Sequence, residues 1–133
     1  MFSHQLDKNS NYHVEFSEYA ENHFRKQFRK KYKGLIWCIT ENSIVQDLKR
    51  IAYHLQSTQQ VDELWQKDQT WIFKYDFAIA KSGKSPKNSG NRCVCVLDDQ
   101  QKIITIILIY AKTDLPKNMS ETAFIKSQLK FIQ

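Results

Sequence analysis

Trp71-Ile72-Phe73-Lys74-Tyr75-Asp76-Phe77, Ser89-Gly90-Asn91-Arg92 and Ile109-Tyr110-Ala111-Lys112-Thr113-Asp114 mark out the stretch whose reading decides the fold. In the first run Trp71, Phe73, Tyr75, Phe77 and Ile79 fall on one face, with Ile72, Lys74, Asp76 and Ala78 on the other. That period of two is the signature of a β-strand. Arg92 to Leu97 gives a second strand, and Asp98-Asp99-Gln100-Gln101 a tight reversal. Ile103 to Tyr110 is so continuously apolar that a central strand, covered on both faces, is expected. Lys, Arg and Tyr stand at the ends and joints of these strands, an arrangement suited to holding a polyanion.

Upstream the period changes to that of a helix. Ala20, Phe24 and Phe28 recur at spacing four, with Tyr32 next in line, predicting a helix from Glu18 to about Lys33 with Ser17 as its N-cap and Gly34 as its stop. Ile44, Leu48, Ile51 and Leu55 predict a second helix from about Glu41 to Gln56. Two helices on so short a connection should pair antiparallel. His13-Val14-Glu15-Phe16 has the makings of a short strand, residues 1–11 are polar and expected to fray, and residues 57–69 read as a loop with a helical turn around Val61–Trp65. After Pro116, Ser120-Glu121 opens a short C-terminal helix carrying Ala123, Phe124 and Leu129. The expected fold class is α+β: an N-terminal antiparallel helix pair packed on a small antiparallel β-sheet, with a short C-terminal helix.

The chain's 133 residues suit a single domain, 1–133, with one modest core. A hydrophobic share of 41% and an aromatic share of 13% exclude a disordered chain. The formal net charge is +6, unevenly placed: residues 1–69 hold ten Lys/Arg against nine Asp/Glu, whereas residues 70–133 hold ten against five. The cationic excess thus lies in the strand-rich half. Cys38, Cys93 and Cys95 are an odd set with two in an apolar strand, as expected of reduced core thiols, not a disulfide framework. With no apolar signal core at the N-terminus and no run of membrane-spanning length, the reading is a soluble cytoplasmic protein with no membrane partner.

Several patterns invite chemistry and fail it. Gly83-Lys84-Ser85 imitates the end of a P-loop, but Ala78 stands where the first glycine belongs and Pro86 follows where a helix should start. It reads instead as part of a basic loop, Gly83 to Gly90, that includes Lys87. Cys93 and Cys95 share a strand face, yet His4, His13, His23 and His54 are scattered, so neither a metal site nor a cofactor is expected. Six cations crowd the nine residues Arg25 to Lys33, either as the wet side of a helix or as a seat for an anionic partner. The strand-end set Lys74, Lys81, Lys84, Arg92, Tyr110 and Lys112 remains. Arg can clamp a phosphate, Lys adds point charge and Tyr can stack a base or share a proton. Such a set suits stabilisation of negative charge on phosphorus when the 2′-hydroxyl of RNA is the nucleophile. Ordinary edge charges and a core-rim tyrosine would show the same residue types.

On Trp71 to Ala80, Gly83-Lys84-Ser85, Ser89-Gly90-Asn91-Arg92 and Leu108 to Asp114, the chain resembles the RelE/HigB-like toxins of bacterial type II toxin–antitoxin systems. The resemblance implies a small α+β domain acting as an mRNA endonuclease, metal-independent, working on translating ribosomes and held inactive by a cognate antitoxin. By position it implies Arg92 at the scissile phosphate, Tyr110 and Lys112 in base stacking, proton transfer or charge stabilisation, and Lys74, Lys81, Lys84 and Lys87 along the RNA backbone. The chain departs from the pattern in having no second arginine between Ile103 and Ile109, and in its longer, more basic N-terminal region. The alternatives carried by the same superfold are a toxin that inhibits DNA gyrase by protein contact, and a degenerate member that only binds nucleic acid or a partner.

Overall fold

A computed structural model describes residues 6–54 and 60–130. Its centre is one five-stranded sheet in the order β1-β5-β4-β3-β2. The strands are β1 (His13–Phe16), β2 (Val61–Lys67), β3 (Thr70–Phe77), β4 (Asn91–Asp98) and β5 (Ile103–Ala111). Strands β2 to β5 run as an antiparallel meander, and β1 joins the β5 edge in parallel, His13 opposite Ile103 through Phe16 opposite Ile106. The described residues between β1 and β2 are largely helical. The first helix, α1 (residues 18–31), is regular at Glu18–Ala20, widens to a π-helical turn at Glu21–Arg25 and is regular again at Lys26–Lys31. The second is α2 (Leu35–Lys49), followed by the short α3 (Ile51–His54). A single turn, α4 (Pro86–Ser89), precedes β4, and α5 (Glu121–Leu129) closes the described chain.

Local sequence explains the boundaries. The Ser17 hydroxyl accepts from the Ala20 amide at 3.0 Å, and Ser120 does the same for Ala123 at 3.1 Å, so each helix start has one orphan donor satisfied. Between α1 and α2 the chain turns at Gly34, whose φ of 68° a side chain would resist.

The sheet is covered on both faces. On one, Phe73, Tyr75, Phe77, Cys93, Cys95 and Ile109 pack against Phe28 of α1 and Trp37, Ile44 and Leu48 of α2. On the other, Ile72, Val94, Leu108 and Tyr110 pack against Phe124 and Ile125 of α5. Wholly buried side chains such as Phe73, Leu48 and Ile125 contribute about 1.5–3 kcal/mol each to the burial term. Strand β5, flanked by β4 and β1, contributes to both faces, which is why its sequence is apolar without alternation.

The expected helix pair on a small antiparallel sheet is corrected by this arrangement. A strand, not a helix, comes first, and its parallel pairing with β5 makes the sheet mixed. The sheet is also wider than expected, because Val61–Lys67 is an edge strand and not a loop with a helical turn. A bulge between Glu63 and Trp65 interrupts its alternation, hiding the period of two from inspection. The C-terminal helix is present but lies on the face opposite α1 and α2. Helix α2 begins at Leu35 and breaks at Arg50, whose φ of −115° and ψ of 31° leave the helical region. The fray expected over residues 1–11 lies partly outside the described residues; within the rest Leu6 is buried in the core, and just beyond the span Tyr12 donates to Asp99 at 2.9 Å. The second helix's expected end at Gln56, and the first part of the expected loop, also lie outside the described residues. Among the described residues no helix is long and apolar enough to cross a membrane.

Candidate functional site

The sheet end formed by the start of β4 and the finish of β5 carries the polar residues. Register sets their sides: Asn91 pairs with Ala111, and Arg92 with Tyr110. Successive residues on a strand face opposite ways. Arg92 and Tyr110 therefore share the α5 face, along with Lys74 and Asp76 of β3, of which Asp76 is directly opposite Arg92.

At the centre of this group is Glu121, the first residue of α5. Its Oε2 accepts from the Tyr110 hydroxyl at 2.6 Å and lies 3.9 Å from Arg92 Nε. Its Oε1 accepts from Lys74 Nζ at 3.3 Å, and Lys74 also reaches Asp62 Oδ2 at 3.6 Å. Burial alone would push the Glu121 carboxyl up, but the Tyr110 hydroxyl and the ammonium groups of Lys74 and Lys112 hold it below the ordinary glutamate value. Burial, reinforced by the Glu121 charge, drives the Tyr110 phenol far up, so it stays protonated. At neutral pH the pair is therefore one carboxylate and one protonated phenol.

Arg92 is only 6% exposed. Its Nε is 3.0 Å from Asp76 Oδ1, a charge contact without the alignment of a hydrogen bond. Its Nη1 donates to the carbonyl of Asn91 at 3.0 Å, and its Nη2 to that of Lys87 at 3.2 Å. Burial raises the Asp76 carboxyl above the ordinary aspartate value despite the pull of Arg92 and Lys74. The guanidinium thus fixes the 86–92 turn and stands behind Glu121 as a buried cation.

The sequence-selected residues divide in consequence. Lys74, Arg92 and Tyr110 come together around Glu121, whereas Lys112 is exposed and acts on that carboxylate only through its charge. Lys84 lines a groove, while Lys81 and Lys87 are exposed in the turn between β3 and β4, Lys81 at a φ of 63°. Sequence reading missed Glu121 and Asp76. Glu121 had its only signal as the residue after Ser120 at a helix start, and Asp76 as a charge sharing a strand face with Lys74. The crowded cations of α1 are also less free than their spacing suggests. Arg25 forks onto Glu41 at 2.6 and 2.7 Å and reaches Glu21 at 2.7 Å, and Arg29 meets Glu21 at 2.5 Å.

Cys93 and Cys95 are fully buried, and burial raises both thiols above the ordinary cysteine value. Among the described residues no group of His, Cys, Asp and Glu side chains is arranged to hold a metal ion.

No protein-family model matches the chain, and no curated protein does. Among solved structures it is similar to a chain of the archaeal RelE–RelB complex from Pyrococcus horikoshii OT3, with a TM-score of 0.48 and 8% identity over 79% of this chain and 99% of that one. A likeness of that size carries no information on activity.

Proposed function

We propose that the protein is a toxin-type endoribonuclease, inhibited by an antitoxin, whose working groups are Glu121, Tyr110, Lys74 and Lys112 with Arg92 behind them. The observation that supports this is the seating of a carboxylate among Lys74, Arg92 and Tyr110: the constellation already binds an oxyanion, its own. A phosphodiester offers the same charge and oxygen acceptors. In this reading Glu121, ionised at neutral pH, takes the proton of the ribose 2′-hydroxyl. The 2′-oxygen bonds to phosphorus as the bond from phosphorus to the 5′-oxygen breaks, leaving a 2′,3′-cyclic phosphate and a 5′-hydroxyl end. Tyr110 gives its proton to the departing 5′-oxygen and recovers one from Glu121 along their hydrogen bond. Lys74 and Lys112 offset the charge that builds on the equatorial oxygens, and Arg92 acts through position and field.

The test is cleavage of mRNA, free and on translating ribosomes, by the wild-type protein, Glu121→Gln and Lys112→Ala. The expected result is cyclic-phosphate ends from the wild type, with rates lowered about 10²–10⁴-fold in Glu121→Gln, the scale of a lost general base. Intact mRNA with wild-type protein would overturn the nuclease reading. The deep burial of Arg92 favours a second reading, a toxin-fold protein that acts by binding alone, and growth arrest without RNA cleavage would support it.

A further inference from the structure

Back to back with the Glu121 cluster, on the opposite face of the same sheet end, lies an open groove of about 250 Å³. The Asn91–Ala111 pair forms its floor, one residue along each strand from the Arg92–Tyr110 pair. Lys31 and Tyr32 from the end of α1 form one wall, and Ser82 and Lys84 from the turn after β3 the other, with Thr113 at the rim. We infer that this groove is a second RNA subsite, which holds a nucleotide flanking the scissile one, the phosphate between Lys31 and Lys84 and the base against Tyr32.

Three observations carry this. The two lysines come from separate elements and converge on one cavity, and among the described residues neither makes an ion pair. Charges left unpaired at a concave wall are held for a mobile anion more readily than for the fold, since like charges brought together cost stability. Ser82 and Thr113 line the same space, and residues of this type can donate a hydroxyl to phosphate oxygens. Tyr32 is half-buried, its ring stacked toward Phe28 at 6.2 Å and held under Lys31 at 5.4 Å, which fixes an aromatic face beside the cation. Among the described residues that line the groove there is no carboxylate, and Asp114 shares with Lys31 a narrower adjoining cleft of about 80 Å³.

Size limits the occupant. Pockets for whole drug-sized ligands run to about 300–1,000 Å³, so this groove suits one nucleotide unit of a chain that continues past it. A single strand crossing the end of the sheet would meet the exposed turn carrying Lys81 and Lys87 between the two faces. Base stacking on one aromatic ring is tolerant of sequence, so this subsite would add affinity and reach without choosing the base.

This inference rests on RNA being the substrate, and the test separates its failure from that of the nuclease reading. Binding is measured by fluorescence anisotropy with a 2′-O-methyl oligoribonucleotide of mixed sequence, which cannot be cut, over a range of salt. Cleavage of unmodified RNA is measured in parallel. The double variant Lys31→Ala/Lys84→Ala should bind at least tenfold more weakly, and its slope of log affinity against log salt should fall by about 1.4, as for two lost phosphate contacts on a single strand. Tyr32→Leu should weaken binding with the salt slope unchanged. Circular dichroism confirms that each variant is folded. If the double variant binds as the wild type does while Lys112→Ala weakens binding, the groove is not a subsite and the nuclease reading stands. If the double variant loses binding and the wild type still cuts nothing, the subsite stands and the nuclease reading falls. A wild-type protein with no affinity for the oligonucleotide overturns the subsite outright.

Discussion

The Tyr110 hydroxyl donates to Glu121 Oε2 at 2.6 Å, joining the end of β5 to the first residue of α5 across the buried face of the sheet. Through Lys74 and Arg92 the same carboxylate reaches β3 and β4. One side chain thus ties a helix to three strands, so that in the proposed reading stability and chemistry are coupled at it.

Tyr110→Phe keeps the ring that packs on Phe124 at 5.3 Å but removes the donor to a charged acceptor. A hydrogen bond to a charged group is worth about 1.5–3 kcal/mol, and a loss in that range is expected in urea unfolding. Cleavage, if Tyr110 supplies the proton to the leaving oxygen, should fall further than stability does.

The Glu121 carboxyl lies below its ordinary value of 4.5 in the folded protein. Its contribution to stability is therefore complete above 4.5, where the unfolded chain too is ionised, and is lost as the pH falls through the lower folded value. The stability gap between wild type and Glu121→Gln should be widest near neutral pH and narrow in acid. Asp76 runs the other way: with its folded value raised, Asp76→Asn should lose least, or gain, as the pH rises above the folded value. Urea titrations at several pH values from 3 to 7 would separate the two, and a gap for Glu121→Gln that is flat over this range would contradict the coupling.

Arg92→Ala removes a buried cation from between Asp76 and Glu121 and takes the donors from the Asn91 and Lys87 carbonyls. Removing one partner of a buried pair costs about 3–5 kcal/mol, so this variant should be destabilised by that order. Thermal unfolding should accompany any activity assay of it. A variant with wild-type stability would mean that the guanidinium is not held as described.

Gly90 has φ of 79° as the cap of α4, and its carbonyl accepts from the Lys112 amide at 2.8 Å. A Cβ there would meet only Lys112 Cβ, at an ordinary 4.0 Å, so the cost of Gly90→Ala is conformational. A loss of about 1–2 kcal/mol is expected from chemical denaturation.

Thiol labelling offers a check on the core. Cys38 is exposed, whereas Cys93 and Cys95 are buried with raised thiols. A disulfide reagent should modify Cys38 alone in the native protein, and all three in denaturant. Fast native reaction at Cys93 or Cys95 would show that β4 opens readily.

The strands β3, β4 and β5 were legible because their runs are apolar or cleanly alternating, and so were the cap residues Ser17 and Ser120. Val61–Lys67 was not, since an edge strand needs few apolar residues and its bulge breaks the period. The side of the sheet taken by α5 was hidden as well, because Phe124 and Ile125 announce a buried face without saying which surface buries it. The carboxylates of the candidate site, Glu121 and Asp76, shared this fate. Cations at strand ends are visible in a sequence, but Glu121 acquires its meaning only when α5 is laid across Tyr110 and Lys74.

Strand β1 pairs with β5 across some 90 positions of chain, His13 with Ile103 at one end and Phe16 with Ile106 at the other. During synthesis, the early strand must wait for nearly the whole sheet to emerge before it has a partner. Closing so long a loop is entropically costly, and topologies dominated by distant pairings fold slowly. The helices that follow β1 would meanwhile form beside a sheet edge that does not yet exist, leaving the apolar side of α1 in water. A nascent chain of this design is open to chaperones and to premature partners until β5 arrives, and the sheet end that carries Tyr110 does not exist before that moment.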